Sequence, residues 1–179
     1  MSPRQPHESR SLPDMNAAAA IRQLLANASL GVLATAGPEG PLTSLMAFAI
    51  ESPSCLVMAT LPDTRKWRNI LADPRISLLV DDRETAIDRE SVRALTLAGR
   101  HEPGTEAQRQ AGFTVLGRRH PHLAGLLARP EIALIRLQVT SYLLLTGPTD
   151  AAYLTSLDEA SATAATGQDS DATPPAPRR

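Results

Sequence analysis

The sequence predicts an α+β protein dominated by β-structure, namely an antiparallel β-barrel of about six strands with peripheral helices. Two observations predict this class. Short apolar runs at residues 30–35, 42–50 and 55–60 are separated by turn residues at close spacing, which is typical of an antiparallel meander. Helical segments interrupt the strands too irregularly for a parallel doubly wound sheet, and such a meander suits a small closed barrel.

The composition indicates one soluble domain. The chain has 179 residues, with 18 Lys plus Arg, 19 Asp plus Glu and a net charge of −1, which argues against a nucleic-acid partner. Its single cysteine, Cys55, lies in an apolar run, so neither an internal disulfide nor a thiolate zinc site is expected. The first residues lack the apolar core of a secretion signal, and no apolar run approaches the ~20 residues of a membrane span. We therefore expect a cytoplasmic protein without a metal or a membrane partner.

The first half of the chain predicts one helix and three strands. Residues 1–13 are polar and contain proline, which predicts a disordered arm. A helix is expected from an N-cap at Asp14 to about residue 28, with one apolar stripe of Ile21, Leu24, Leu25 and Ala28. Turns at 37–40 and 52–53 then separate strands at 30–35, 42–50 and 55–60. The apolar residues of the strand at 42–50 share a face with Ser44: Leu42, Met46, Phe48 and Ile50.

The second half alternates helices with the remaining strands. Helices are expected at 64–72, at 121–128 and from a capping box at Thr105–Gln108 to about residue 116. Strands are expected at 76–80, 94–100 and 132–145, with a charged loop at 81–90. The Ala-, Thr-, Ser- and Pro-rich end has no large apolar residue from 161 onward, so residues 151–179 are expected to be mostly disordered. The folded unit is accordingly expected at 14–150.

The start of the helix at 64–72 carries the strongest functional signal. Thr64, Arg65, Lys66 and Arg68 crowd its first turn after a predicted N-cap at Asp63. A helix N-terminus has a partial positive charge and free N–H groups, so cations there are unfavourable by about 0.3–1 kcal/mol. A bound phosphate would supply the missing acceptors and negative charge. The alternative interpretation is a solvated basic helix face.

Several motifs, in this order, resemble the pyridoxamine 5′-phosphate oxidase-like family. They are GVLAT (31–35), GPEGPLTS (37–44), ATLPDTRKWRNI (59–70) and DPRISLLV (73–80). The resemblance implies a split β-barrel that binds FMN, in a homodimer. Further on, ALTLAGR (94–100) and RRHPHLAGLL (118–127) resemble the haem-utilising, HugZ-type branch of the family. The likeness extends over about residues 30–145, most of the folded unit.

The resemblance also assigns a cofactor site. The stretch after the third strand binds the FMN phosphate in the family, which implies Thr60, Thr64, Arg65 and Lys66 here. The strand after the glycine-rich turn lines the flavin ring, which implies Ser44, Leu45 and Met46, mainly through backbone groups. Ser44 stands where pyridoxamine oxidases often have arginine, so their substrate is not implied. Taken alone, Ser44 is equally a polar barrel residue and Met46 a core residue.

The expected function is an FMN-dependent oxidoreductase acting on a small-molecule substrate, with its catalytic residues unknown. The chain has no G-x-S-x-G elbow, and no histidine is suggested as a partner for Cys55. Haem binding or degradation is one alternative, but no histidine follows Tyr142, where HugZ-type proteins carry a ligand. His101 is expected to be exposed, and His120 and His122 to form a surface cluster. A deazaflavin-dependent reductase is the other alternative, since that cofactor also carries a phosphate.

Overall fold

The structure is a computed structural model that describes residues 14–147 and 150–157. This part of the chain forms eight strands and four α-helices. The strands are β1 (Leu30–Gly37), β2 (Gly40–Ala47), β3 (Ala49–Ser52), β4 (Cys55–Thr60), β5 (Arg75–Asp81), β6 (Arg93–His101), β7 (Ala133–Thr146) and β8 (Asp150–Leu154). The helices are α1 (Asp14–Asn27), α2 (Arg65–Ala72), α3 (Glu106–Arg119) and α4 (Ala124–Leu127), with a 3₁₀ turn at Pro121–Leu123.

All paired strands are antiparallel, in the order β2-β1-β5-β6-β7-β4-β3, and β8 pairs with β7. Strands β2 and β3 lie at opposite ends of this order although they follow each other in the chain. The sheet therefore has to curl until its two ends meet at Phe48, the residue between them. The result is a β-dominated α+β half-barrel with peripheral helices, so the predicted fold class is confirmed.

The strand predicted at 42–50 is wrong in one respect, because it divides at Phe48. Tertiary contacts hold this residue from several sides. Its N–H donates to Ser29 O at 3.3 Å, and His120 Nε2 donates to its carbonyl at 2.8 Å. The guanidinium of Arg119 lies over its ring, 5.7 Å from the centroid. These bonds satisfy the backbone groups that the break removes from the ladder.

The interior of the barrel is built from residues directly opposite each other on neighbouring strands. One such row consists of Leu33, Leu78, Leu97 and Tyr142, all buried. The apolar stripe of α1 packs into the same core through Ile21, Leu24 and Leu25, as predicted. Successive side chains of a strand point to opposite faces of the sheet. The residues next to this buried row therefore point outward, and together they form an outer face on β2, β1, β5, β6, β7 and β8.

The outer side of β3, β4 and β7 is covered by α3. A second apolar cluster lies there, formed by Ala49, Val57, Leu116 and Leu134. At its edge Arg136 is only 7% exposed and pairs with Glu51, with Nη2 and Oε2 2.5 Å apart. Arg136 Nη1 also donates to Glu102 O at 3.3 Å. A buried ion pair therefore joins β7, β3 and the loop before α3.

The fold continues past the boundary expected at residue 150. Strand β8 pairs with β7, from Leu154 opposite Tyr142 to Asp150 opposite Thr146. Leu157, which follows β8, is buried in the core. Isolated apolar residues within a polar segment gave too short a pattern to predict this strand. The predicted N-terminal arm, residues 1–13, and the rest of the predicted tail, residues 158–179, lie outside the described residues.

The cap predicted for α3 is confirmed, and the cap predicted for α2 needs one correction. The predicted capping box is confirmed, because Thr105 Oγ1 accepts from Gln108 N and Gln108 Oε1 accepts from Thr105 N. The N-cap of α2 is Thr64 and not Asp63, because the Thr64 hydroxyl accepts from Trp67 N at 3.4 Å. Among the described residues, no helix is both long enough and apolar enough to cross a membrane.

Candidate functional site

The end of β4 and the start of α2 bring two predicted residues together. Thr60 is buried, and its hydroxyl oxygen lies 3.1 Å from that of Thr64. The carbonyl oxygen of Leu61 lies within hydrogen-bond distance of both hydroxyls, at 3.4 Å from Thr60 Oγ1 and 2.9 Å from Thr64 Oγ1. The two hydroxyls thus fix the turn from strand to helix. They leave the N–H groups of Arg65 and Lys66 without an acceptor among the described residues.

Arg65 and Lys66 supply the charge at this helix start. Arg65 Nη2 donates to Glu39 O at 2.9 Å, and Arg65 Nε lies 3.4 Å from Glu39 Oε2. That Nε–H is buried yet makes no hydrogen bond within the described residues. Lys66 is half-buried, and its ammonium group makes neither an ion pair nor a hydrogen bond with another described residue. Unsatisfied donors and a cation without a counter-ion therefore lie in the first turn of α2, where an anion would find both acceptor-free N–H groups and positive charge.

The β1–β2 hairpin is fixed against α2 by a buried contact. Asn69 Nδ2 donates to Thr35 Oγ1 at 3.2 Å, and both residues are buried. A Cβ on Gly37 would lie 2.1 Å from Asn69 Oδ1, so only glycine allows this approach. The sequence predicts no role for Asn69 and no contact between Glu39 and Arg65. No local pattern reveals these contacts, because they join residues 34 and 26 positions apart.

The predicted ring-binding residues lie on β2, an edge strand of the described sheet that pairs only with β1. Half of its backbone N–H and C=O groups therefore point away from the sheet and are free to meet a ligand. Met46 is buried in the core, which agrees with the alternative that it is a core residue. Ser44 is half-buried and lies opposite Leu33 on β1. Leu45 points outward and is 68% exposed. Strands β2 and β4 approach each other, although no described hydrogen bond links this triplet to the α2 start.

Two histidines that the sequence predicts to be exposed, His101 and His120, are buried in the structure. His101 is buried, accepts from Arg136 N through Nδ1 at 3.2 Å, and meets the Trp67 ring edge-on at 5.4 Å. Burial lowers the pKa of His101, so its neutral form is favoured. His120 is 3% exposed and bonded to Phe48 O. Sequence reasoning missed both because their partners lie far away in the chain.

The described residues offer neither an activated cysteine nor a cluster of metal ligands. Burial, with the neighbouring Glu51 carboxylate, raises the pKa of Cys55 to about 12, so its thiol stays protonated at neutral pH. This thiol is therefore no activated nucleophile. Within residues 14–147 and 150–157, no group of three His, Cys, Asp or Glu side chains converges as metal ligands would.

The sequence was compared with known families. The family model described as pyridoxamine 5′-phosphate oxidase matches residues 17–146. The chain belongs to the pyridoxamine 5′-phosphate oxidase-like family. The match includes the end of β4, the start of α2 and all of β2, so the candidate site lies inside the family region. The predicted family is confirmed. A comparison with curated proteins finds no match.

Solved structures with the same fold bind different ligands. A heme binding protein from Mycobacterium smegmatis has a TM-score of 0.71 and 21% identity, over 78% of this chain and 57% of that one. A FAD-binding protein from Mesorhizobium loti has a TM-score of 0.57 and 22% identity, over 71% and 90%. An F420 reductase has a TM-score of 0.52 and 26% identity, over 68% and 94%. This chain thus spans little more than half the length of the mycobacterial heme binding protein.

Proposed function

We propose that this protein is an FMN-binding flavoprotein and an oxidoreductase acting on a small-molecule substrate. The observation that supports this proposal best is the set of unsatisfied donors at the start of α2. Arg65 Nε is one of three buried side-chain polar atoms in the described residues without a hydrogen-bond partner. Its neighbour Lys66 has no counter-charge there. A phosphate monoester would accept from both side chains and from the free N–H groups of the first helical turn.

The other predicted residues complete the proposed site. Thr60 and Thr64 shape the phosphate turn, and the free edge of β2 at Ser44, Leu45 and Met46 would hold the flavin ring. FMN would supply the electron- and hydride-transfer chemistry when bound. The residues of this chain would bind the phosphate, orient the ring and limit the access of water. We propose a cytoplasmic location, in keeping with the free, buried Cys55.

We also propose that the protein works as a homodimer. The outer face of the barrel carries a cross-strand row that is mostly apolar, consisting of Leu45, Val32, Leu79, Thr96, Leu143 and Tyr153. Leu45 and Tyr153 at its two ends are 68% and 65% exposed. An apolar strip that crosses six strands favours burial against another surface. A second copy of this face would cover it and bring the edge of β2 to the subunit interface.

The dimer proposal predicts a mass of twice 19.1 kDa in solution. Tyr153→Glu should shift the protein toward the monomer, because it places charges within the apolar row. Ile87→Glu is the matched control, since Ile87 is 98% exposed but lies in the loop between β5 and β6. Light scattering after size exclusion measures both. A parent protein that elutes as a monomer at micromolar concentration would contradict the proposed dimer.

The flavin proposal predicts that the phosphate provides much of the affinity. FMN should bind at least about tenfold more tightly than riboflavin, which shares the ring but lacks the phosphate. Quenching of flavin fluorescence during titration measures both dissociation constants. Equal affinities would show that the α2 start does not recognise the phosphate. Binding of neither flavin would overturn the proposed function.

Two alternatives remain distinguishable by experiment. A deazaflavin would use the same phosphate contacts, and one similar structure is an F420 reductase. Titration of the deazaflavin in parallel with FMN compares the two rings directly.

Haem binding is suggested by the mycobacterial neighbour. Here, however, His101 and His120 are both buried and hydrogen-bonded, which leaves His122 as the exposed histidine in the described residues. If haemin binds, His122→Ala should abolish its axial-ligand spectrum.

A further inference from the structure

Glu39, at the tip of the β1–β2 hairpin, contacts Arg65 at the start of α2. Its carbonyl oxygen accepts from Arg65 Nη2 at 2.9 Å, and its carboxylate oxygen Oε2 lies 3.4 Å from Arg65 Nε. The carboxylate side chain is 75% exposed, while that of Arg65 is 35% exposed. Arg65 is thus already neutralised by an internal anion whose geometry leaves the Nε–H without a hydrogen bond.

The position of Glu39 is set by the fold and not by the ion pair alone. The bond from Asn69 to Thr35 and the close approach of Gly37 to Asn69 hold the base of the hairpin on α2. Gly40, with φ of 90°, then reverses the chain just after Glu39. The tip is therefore presented to Arg65 by a buried scaffold.

We propose that Glu39 is a specificity residue that competes with the phosphate for Arg65. This inference rests on the proposed function. An incoming phosphate has to displace the carboxylate from Arg65, and the loss of this ion pair offsets part of the attraction between the phosphate and the guanidinium. A flavin without phosphate never enters this competition. Glu39 therefore weakens the binding of anionic flavins selectively and keeps FMN exchangeable.

Glu39→Gln tests the proposal, since it removes the charge with little change in shape and keeps the backbone contact to Arg65. FMN should bind about three- to tenfold more tightly to this variant at low salt, because an exposed pair has a modest effect. Riboflavin should bind unchanged. The matched control is Glu84→Gln, an exposed carboxylate in the loop between β5 and β6, which should alter neither affinity. Fluorescence titrations of the parent and both variants give the values.

A double-mutant cycle shows whether Glu39 acts through Arg65. The gain from Glu39→Gln should vanish in the Arg65→Ala background. If the gain persists there, or extends equally to riboflavin, Glu39 acts by a different route and the proposal is wrong. If FMN binds the parent better than riboflavin but Glu39→Gln changes nothing, this inference fails while the proposed function stands. If neither parent nor variant prefers FMN over riboflavin, the phosphate site itself is misplaced and both fail.

Discussion

Replacing Arg65 and Lys66 together with alanine should weaken FMN binding by at least about 100-fold while the barrel stays folded. Each charge-assisted hydrogen bond to phosphate is worth about 1.5–3 kcal/mol, and the double variant loses at least two. The partial exposure of Arg65 and its existing pair with Glu39 favour the lower end of this range. The core should not respond, because neither side chain belongs to the buried apolar clusters. Flavin titration and the thermal midpoint measure the two effects separately.

Arg68→Ala is the matched control for this variant. Arg68 lies on the same helix but is exposed and donates to Asp63 O at 2.8 Å, so its removal should change FMN affinity little. A second test needs no mutation. Lys66 is the only lysine in the chain, so chemical labelling of lysine reports on this one side chain. FMN, but not riboflavin, should protect Lys66 from an amine-acylating reagent, as mass spectrometry reads directly. Unchanged FMN affinity in the double variant, together with labelling of Lys66 in the parent protein despite bound FMN, would place the phosphate elsewhere.

Replacing Arg136 with alanine should lower the free energy of unfolding by about 3 kcal/mol, the largest stability effect we expect from a polar residue here. The cause is the partner left behind, because Glu51 would keep a buried charge with no counter-ion. Its Oε1 already lacks a hydrogen-bond partner in the described residues. The bond from Arg136 to Glu102 O, which ties the loop before α3 to β7, would be lost as well. Urea unfolding gives the difference.

The double variant Glu51→Gln/Arg136→Met separates pairing from packing. It should recover a large part of the loss, since removing both charges avoids the desolvation of an unpaired one. Arg75→Ala is the surface control. Its two-pronged pair with Asp73 is exposed, so the denaturation midpoint should stay close to that of the parent. A loss in the double variant equal to the sum of the losses in the single variants Glu51→Gln and Arg136→Met would show that Glu51 and Arg136 are not coupled.

Much of the barrel could be predicted because its signals are local. Strand β4 lies at Cys55–Thr60, the range predicted, since a short apolar run between turn residues defines it. The stripe of α1 and the capping box of α3 are equally local patterns. The division between β2 and β3 was not predictable, because Phe48 continues the apolar alternation. Its break depends on Ser29, Arg119 and His120, which reach it only in the folded chain.

The candidate site could be predicted only in part, for the same reason. Cations at the start of a helix are visible in the sequence, so the position of Arg65 and Lys66 indicates an anion site, and the family resemblance assigns that site to the FMN phosphate. The turn residue Glu39 and the helix residue Asn69 were missed, because their contacts cross from one element to another. His101 and His120 look like surface residues beside prolines and arginines. Their burial depends on bonds to Arg136 and Phe48 that no spacing reveals.

The central claim is that this chain binds FMN through its phosphate. An absorption spectrum of the purified protein, repeated after addition of FMN and removal of the unbound flavin, tests it most directly. We expect the two-band flavin spectrum to stay with the protein, and the released cofactor to be identified as FMN. Loss of all flavin on desalting, together with a sharp Soret band after addition of haemin, would contradict the claim and favour haem as the ligand.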